Sequence, residues 1–242
     1  VRLRPDTGEL ESLSAPTQFG HSFDEWGRYF TLDNAVHTRH VVIAAPYLRR
    51  NPHLFLKTTT QQASDHGTYA QVFPITHNPR FKLLTEAGEF TSGCSLTHYL
   101  GGIFAPQLEH FSLVAEPVHN LVHMDLWTEN GSTFTASRVS EDSEFLASTD
   151  NWFRPVFFYN GPDGSIYLVD YYREMIEHPE WASSNYHKDS EDLYRGTREG
   201  RIYKIYPQGK KPKSNLEKLS QGSSHNLVSL LGHQNAWWRK TA

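Results

Sequence analysis

The fold is decided by two neighbouring stretches, Asn151-Trp152-Phe153-Arg154-Pro155-Val156 and Gly161-Pro162-Asp163-Gly164-Ser165-Ile166-Tyr167-Leu168-Val169-Asp170. Proline suits the second position of a tight turn, and glycine tolerates the positive φ that such turns require. Apolar and β-favouring residues follow this turn without interruption as far as Asp170. The stretch therefore predicts a strand, a tight turn and a buried second strand that ends on a carboxylate.

Weaker copies of this pattern occur earlier in the chain. Aligning Gly164 with Gly27 places Asp170 on Asp33, and a fainter copy at 111–116 puts Glu116 in the same place. Each acid is followed by a further strand-like segment, so the repeating unit has four strands. Units of this kind are typical of β-propellers. The sequence predicts an all-β fold with about three blades of a six-bladed β-propeller; the alternative is a chance alignment of short hairpins.

Composition limits the classes of function. The chain has 242 residues, of which 13% are aromatic and 38% hydrophobic, which suits sheets packed face to face. A net charge of −4 gives no electrostatic footprint for nucleic acid. No window approaches the ~20 apolar residues of a transmembrane segment. The single cysteine, Cys94, excludes an internal disulfide and a Cys-x-x-Cys-His haem-attachment motif within this stretch.

Three regions follow from the pattern. Residues 1–207 form the predicted partial propeller, and residues 208–224, rich in Lys, Pro, Ser and Gly, form a linker. Residues 225–242 begin a helical repeat region, because Leu227, Leu230 and Leu231 have helical spacing. Val1 lies in mid-hairpin, so we expect a fragment of a longer protein with about three further blades upstream.

Histidines near the first acid raise the question of a metal site. His37 and His40 have the spacing of a possible metal-binding pair. On a strand, however, these two side chains would point to opposite faces. We therefore expect no metal site there. The region 47–89 is the least regular, and in a propeller it would lie across one mouth of the central channel.

A set of motifs occurring in order resembles one known family. The motifs include Gln18-Phe19-Gly20-His21-Ser22-Phe23-Asp24-Glu25-Trp26-Gly27, Glu116-Pro117-Val118-His119-Asn120-Leu121-Val122-His123, Trp152-Phe153-Arg154-Pro155-Val156 and Ile176-Glu177-His178-Pro179. Over residues 1–207 the chain resembles the membrane-bound dehydrogenase domain of planctomycete and verrucomicrobial (PVC-type) haem-binding proteins. That domain is related to the soluble quinoprotein glucose and sorbosone dehydrogenases, which are six-bladed propellers. The tail from Leu227 resembles the first helix of HEAT-like repeats.

The resemblance implies an oxidoreductase. Its expected activity is PQQ-dependent oxidation of a sugar or alcohol, with Ca²⁺ beside the quinone and electrons passed to a c-type haem. That haem would lie on a cytochrome domain absent from this chain, and the family resemblance implies a periplasmic or extracytoplasmic location. Arg154 would contact the quinone's carboxylates; the alternative is an ion pair with Asp150 or Asp170. No catalytic base is assigned by motif.

The expected cofactor site collects residues at the strand exits and the channel mouth: Asp33, Glu116, Asp170, Arg154, His119 and His178. On this hypothesis Arg154→Ala abolishes cofactor binding and leaves the thermal melt unchanged. One difference from the related sugar dehydrogenases weakens this assignment of cofactor residues. Their Arg-Asn-Pro segment lies near an inner strand, whereas Arg50-Asn51-Pro52 of this chain lies in the long irregular region. The alternative function is a non-catalytic propeller that binds carbohydrate or a partner protein, since propellers serve both uses.

Overall fold

The computed structural model describes residues 1–76, 88–176, 194–212 and 218–242. These residues form mostly antiparallel β-sheet with few helices, which confirms the all-β expectation, and none of the described sheets is closed. None of the described helices has the length and apolar character needed to cross a membrane.

Three main sheets follow one another along the chain. A short hairpin, β1 (Arg2–Leu3) and β2 (Leu10–Glu11), precedes them. Sheet I has the order β3 (His21–Phe23), β4 (Tyr29–Thr31), β5 (Arg39–Val41), β6 (Thr60–Gln62). Sheet II contains β7 (Cys94–His98), β8 (Phe111–Glu116), β9 (Leu121–Asn130) and β10 (Thr133–Arg138), and β11 (Leu146–Ala147) also pairs with β9. Sheet III has the order β12 (Pro155–Asn160), β13 (Ile166–Asp170), β14 (Arg201–Ile205).

The decisive stretch has the predicted strand–turn–strand conformation. Gly164 adopts a φ of +83°, which a residue with a Cβ rarely tolerates. Its N–H donates to Gly161 O at 3.0 Å, and the N–H of Gly161 donates to Ser165 O at 2.8 Å. The turn thus sets the register of β12 on β13, in which Asn160 pairs with Ile166.

Sheet II lies between the other two sheets, and both of its faces are covered. All six residues of β8 are buried, as expected for a strand packed on both sides. Because side chains alternate across a strand, Phe111, Leu113 and Ala115 enter a core shared with sheet III. Val114, on the opposite face, enters a second core with Phe30 of sheet I.

Strand β6 departs from the expectation that 47–89 is irregular. Gln61 pairs with His40 of β5, so β6 completes sheet I. The segment Thr60–Gln62 is polar and occupies an edge, and it therefore lacks the apolar alternation by which strands are recognised in a sequence. Residues 77–87 of this region lie outside the described residues.

The C-terminal segment is helical and packs on the decisive turn. A short helix, α1 (Ala45–Leu48), lies earlier in the chain, after β5 of sheet I. The C-terminal segment contains α2 (Ser224–Leu230) and α3 (Ala236–Thr241). A 3₁₀ turn (Leu219–Gln221) lies in the expected linker. The Asn235 side chain caps α3 by accepting from Trp237 N at 2.8 Å, and Trp238 Nε1 donates to Pro162 O at 2.7 Å. The HEAT-like assignment stays a prediction.

Candidate metal centre

Strand β9 supplies two polar residues to the interface between sheets I and II. His123 and Asp125 are two positions apart on this strand, so their side chains leave the same face. That face also carries Leu121, which belongs to the core shared with sheet I. Both polar residues are only 1% exposed. Burial of this kind requires partners that compensate the charge and the lost hydration.

Two loops of sheet I bring further histidines to this point. His37 follows β4 in a turn that the Asp33 carboxylate holds, since Oδ1 accepts from Ala35 N at 3.0 Å and Val36 N at 2.7 Å. His66 follows β6, and its loop is fixed because Asp65 N donates to Ala136 O at 3.1 Å. Backbone hydrogen bonds therefore position both imidazoles over β9.

The four side chains of His37, His66, His123 and Asp125 form one group, called here the His–Asp cluster. The Nε2 atoms of the three histidines lie 3.2, 3.6 and 3.0 Å, in that order, from an Asp125 carboxylate oxygen. One ligand atom from each of the four residues lies within 4.8 Å of all the others. A tetrahedral Zn²⁺ with bonds of about 2.0–2.1 Å separates its ligand atoms by roughly 3.3 Å. Closing on an ion therefore needs side-chain shifts on the order of 1 Å.

Two carboxylates orient the cluster from behind. Glu144 Oε2 lies 2.8 Å from His123 Nδ1, and Asp65 Oδ1 lies 2.8 Å from His66 Nδ1. Because an ionised carboxylate only accepts hydrogen bonds, each Nδ1 carries the proton. The neutral His66 ring then presents its Nε2 lone pair towards Asp125, whereas Nε2 of His123 donates to Asp125 Oδ1 at 3.0 Å. Metal-ligating histidines have this arrangement, with the far nitrogen bonded to a carboxylate.

Several polar atoms of the cluster have no hydrogen-bond partner in the part of the chain that the structure describes. They are Nδ1 of His37 and Nε2 of His66, while Nε2 of His37 and Oδ2 of Asp125 face each other at 3.2 Å without good hydrogen-bond geometry. An unpaired buried polar group costs about 1–3 kcal/mol, and a charged one more. A metal ion bound here would engage one nitrogen of His37, Nε2 of His66 and the Asp125 carboxylate together.

Electrostatics set the protonation states. Burial lowers the pKa of His37 to about 4 and also lowers the pKa of His66. Burial disfavours the charged form of His123, but the Asp125 charge and hydrogen bonds to Asp125 and Glu144 raise its pKa to about 9. Burial likewise disfavours ionised Asp125, yet the His123 charge and hydrogen bond hold its pKa well below the usual range. His37 and His66 are therefore neutral, whereas His123 holds a second proton that a metal ion would have to displace.

His40, the second histidine of the His-x-x-His pair, lies outside the His–Asp cluster. His40 Nδ1 lies 3.1 Å from Thr133 Oγ1, and its ring stacks on Phe30 with centroids 4.9 Å apart. The His-x-x-His spacing is therefore not the source of the cluster, because His37 meets residues that are distant in sequence. His123-Met124-Asp125 on a predicted strand was the signal available in the sequence, since that spacing puts two ligands on one face.

The expected cofactor residues have other partners. Glu116 accepts from Ser92 N at 3.0 Å and contacts the Ser92 hydroxyl, and His119 Nδ1 lies 3.1 Å from the same carboxylate. His119 Nε2 accepts from Gly88 N at 3.0 Å. Asp33 holds the turn before His37 and pairs with Arg39 at 2.6 Å. Glu116, His119 and Asp33 thus hold the backbone in place where β8 and β4 end.

Asp170 and Arg154 are joined at the next strand exit. Asp170 Oδ1 accepts from Arg154 N at 2.8 Å and from Tyr172 N at 2.9 Å, and burial raises the pKa of this carboxyl. Residue His178 lies outside the described residues. The structure thus connects Arg154 with Asp170 through the backbone and leaves the role of His178 a prediction.

The Arg154 side chain is bound to the backbone of neighbouring segments. Its guanidinium donates to four carbonyl oxygens at 2.7–3.1 Å, those of Pro117, Val118, Arg173 and Glu174. A guanidinium has five N–H groups, so these four bonds use most of its capacity. Arg154 held in this way does not fit a clamp for the carboxylates of PQQ.

Arg154→Ala is expected to lower the free energy of unfolding by about 3 kcal/mol, because buried carbonyl oxygens lose their donors. This outcome replaces the expectation of an unchanged melt. Urea denaturation of both proteins measures it. The exposed Arg50 gives the control, since Arg50→Ala should stay within about 0.5 kcal/mol of the parent. Equal stabilities for Arg154→Ala and the parent protein would show that the four bonds do not stabilise the fold.

A family model described as "Domain of unknown function (DUF7133)" matches residues 1–209. No curated protein and no solved structure matches the chain. The matched residues include all three main sheets and the whole His–Asp cluster, whereas α2 and α3 lie beyond them.

Proposed function

The chain belongs to the DUF7133 family, and we propose that its domain binds one Zn²⁺ ion at the His–Asp cluster, where the ion joins sheet I to sheet II. One observation carries the proposal. Three histidine Nε2 atoms converge on one buried carboxylate, and two of the three rings are oriented from behind by Glu144 and Asp65. Ligands and outer partners are arranged in this way in zinc sites.

The alternative to metal binding is that His123 is protonated and carries the positive charge of the cluster itself. A charged His123 satisfies its own bonds to Glu144 and Asp125. It leaves His37 Nδ1 and His66 Nε2 without hydrogen-bond partners among the described residues, and His37 Nε2 with only its 3.2 Å contact to Asp125 Oδ2. A metal ion instead engages the Nε2 atoms of all three histidines and the carboxylate at once. It therefore satisfies more of the buried polar atoms than a proton does.

The donor set selects the metal. Imidazole nitrogens suit Zn²⁺ and other transition metals, whereas Ca²⁺ and Mg²⁺ prefer oxygen ligands. Three nitrogens and one carboxylate oxygen complete a tetrahedral shell, which is typical of a closed, structural zinc site. Burial agrees with this role, because His37 and Asp125 are 0% and 1% exposed.

The ion would act as a clamp between sheets. Two of its ligands come from loops of sheet I, and the other two come from β9 of sheet II. Phe90 lies beside the cluster and stacks on the His37 ring with centroids 4.5 Å apart. Binding free energy at such a site contributes directly to folding.

Isothermal titration of the chelator-treated protein with ZnCl₂ tests the proposal. We expect one ion per chain with a Kd below about 1 µM. His53 is exposed and lies in a different loop, so His53→Ala should bind Zn²⁺ like the parent protein. Absence of a binding isotherm in a folded protein would overturn the proposal.

Glu144→Gln should weaken Zn²⁺ binding by about ten- to hundredfold, the usual cost of altering an outer-shell partner. The amide keeps the size of the side chain but removes the charge that orients His123. The same titration measures the effect. Glu141 is exposed on the preceding loop, and Glu141→Gln serves as the matched control. Equal affinities for the Glu144 and Glu141 variants would contradict an orienting role for Glu144.

The propeller is the architecture we propose for the three sheets. Hydrogen bonds between neighbouring sheets support it. Gly93 N, just before β7, donates to Asn34 O, after β4, at 3.1 Å. Arg154 Nη1, just before β12, donates to Pro117 O, after β8, at 2.9 Å. These bonds link the ends of the inner strands of neighbouring sheets. A crystal structure in which the three sheets share no common axis would contradict this proposal.

Quinoprotein chemistry stays a prediction from the resemblance. It comprises PQQ with Ca²⁺, a sugar or alcohol substrate, a c-type cytochrome acceptor and a periplasmic location. The bonding of Arg154 does not support the expected quinone clamp. Adding PQQ and Ca²⁺ and recording sugar-dependent dye reduction tests the activity directly.

A further inference from the structure

We propose that Asn130, at the turn between β9 and β10, is a site of spontaneous deamidation and converts to aspartate and isoaspartate in the folded protein. The sequence contains two Asn-Gly dipeptides, Asn130-Gly131 and Asn160-Gly161. A glycine after asparagine favours the reaction, because a residue without a Cβ leaves its backbone nitrogen accessible. The two dipeptides lie in opposite environments, so the fold decides which of them reacts.

The reaction needs water as its only co-reactant. The backbone nitrogen of the glycine attacks the side-chain carbon Cγ of the asparagine, and a cyclic succinimide forms. The bond between Cγ and Nδ2 breaks, and Nδ2 leaves as ammonia with the proton that the glycine nitrogen loses. Water then opens the ring at either carbonyl and gives aspartate or isoaspartate, with no change in oxidation state. The glycine nitrogen and the asparagine Cγ must therefore be free to approach each other.

The β9–β10 turn leaves both of these atoms accessible. Asn130 and Gly131 are exposed, and a Cβ added at Gly131 would meet nothing within 4 Å beyond its chain neighbours. Gly131 N donates no hydrogen bond to any residue that the structure describes. The Asn130 amide is held by one exposed hydrogen bond, in which Nδ2 donates to Thr135 Oγ1 at 3.2 Å. Neither the nucleophile nor the leaving group is locked by the fold.

Asn130 also lies where the hairpin opens most easily. It pairs with Thr133 as the last pair of the β9–β10 ladder, and the side chain of the preceding Glu129 is 82% exposed. Exposed ends of secondary structure open locally at a small cost in free energy. Opening this pair frees the Asn130 backbone to reach the geometry of attack, while the buried part of β9 stays in place.

The dipeptide Asn160-Gly161 is held at every group that the reaction uses. Asn160 Oδ1 accepts from Leu100 N at 3.1 Å, and its Nδ2 donates to His98 O at 2.9 Å. Gly161 N donates to Ser165 O at 2.8 Å in the decisive turn. Attack on Asn160 Cγ would require all three bonds to break. The structure therefore predicts that Asn160 is protected although its local sequence is the same.

Peptide mass spectrometry of the folded protein, incubated at mildly alkaline pH in H₂¹⁸O, tests the proposal. We expect Asn130 to convert at least about tenfold faster than Asn160, because the protected dipeptide must first unfold locally. The product should contain ¹⁸O from water, and electron-transfer dissociation distinguishes isoaspartate from aspartate. Asn160 serves as the matched control within the same molecule.

The same incubation in concentrated urea separates the effect of the fold from that of the sequence. In the unfolded chain both asparagines precede a flexible glycine, so we expect them to convert at similar rates. If Asn130 stayed intact in the folded protein while it reacted in urea, the proposal would be overturned. Equal rates for Asn130 and Asn160 in the folded protein would overturn it as well, and neither result affects the metal site.

Discussion

His66→Gln is expected to weaken Zn²⁺ binding by about a thousandfold, more than the ten- to hundredfold cost of changing an outer-shell partner. The variant removes one of four ligand atoms while keeping a polar side chain of similar length. His66 lies in a loop, and its side chain is 15% exposed, so the sheets can form without it. Competition against a chromophoric chelator measures the affinity.

His53→Gln is the control for this variant, since it replaces an exposed histidine outside the cluster by the same residue. We expect it to retain the affinity of the parent protein. If His66→Gln and His53→Gln bound Zn²⁺ equally well, His66 would not be a ligand, and a four-ligand site would be excluded.

Zn²⁺ added to the metal-free protein is expected to stabilise the fold by about 4 kcal/mol when free Zn²⁺ exceeds the Kd a thousandfold. For a chain of this size, that gain corresponds to a rise in Tm of about 8–16 °C. The physical reason is that the ion joins loops of sheet I to β9 of sheet II only when both are folded. Differential scanning calorimetry measures the change.

Two comparisons make this result specific. Mg²⁺ at the same concentration should leave Tm unchanged, because it prefers oxygen ligands and octahedral geometry. His66→Gln should lose the response to Zn²⁺ at concentrations that saturate the parent protein. An equal rise in Tm with both metals, or in both proteins, would indicate non-specific binding and contradict the clamp.

Local patterns predicted most of the β-structure. The decisive stretch carries a Pro–Gly turn between apolar segments, and it folds into β12 and β13 as expected. Asn130-Gly131, a dipeptide typical of tight hairpin turns, likewise lies at the turn between β9 and β10. Strand β6 was missed because its three residues are polar and lie at a sheet edge. Periodicity identifies strands that bury a face, and it says little about polar edge strands.

Candidate site residues were harder to predict for a topological reason. The cluster draws His37, His66 and β9 together only after sheets I and II have packed. No local motif in the sequence predicts that His37 and Asp125 lie close together in the fold. The expected acids at strand exits were recognised as unusual, but Glu116 and Asp170 accept hydrogen bonds from the backbone of nearby loops. A sequence shows that a carboxylate is present and does not show which donors surround it.

Zinc K-edge X-ray absorption of the zinc-loaded protein tests the central claim most directly. The proposed site predicts four ligands, three histidine nitrogens at about 2.0–2.1 Å and one carboxylate oxygen at about 2.0–2.2 Å. Multiple-scattering features of imidazole identify the histidines, and they should decrease in His66→Gln but not in His53→Gln. A spectrum of six oxygen ligands without imidazole, or no zinc retained after desalting, would contradict the account.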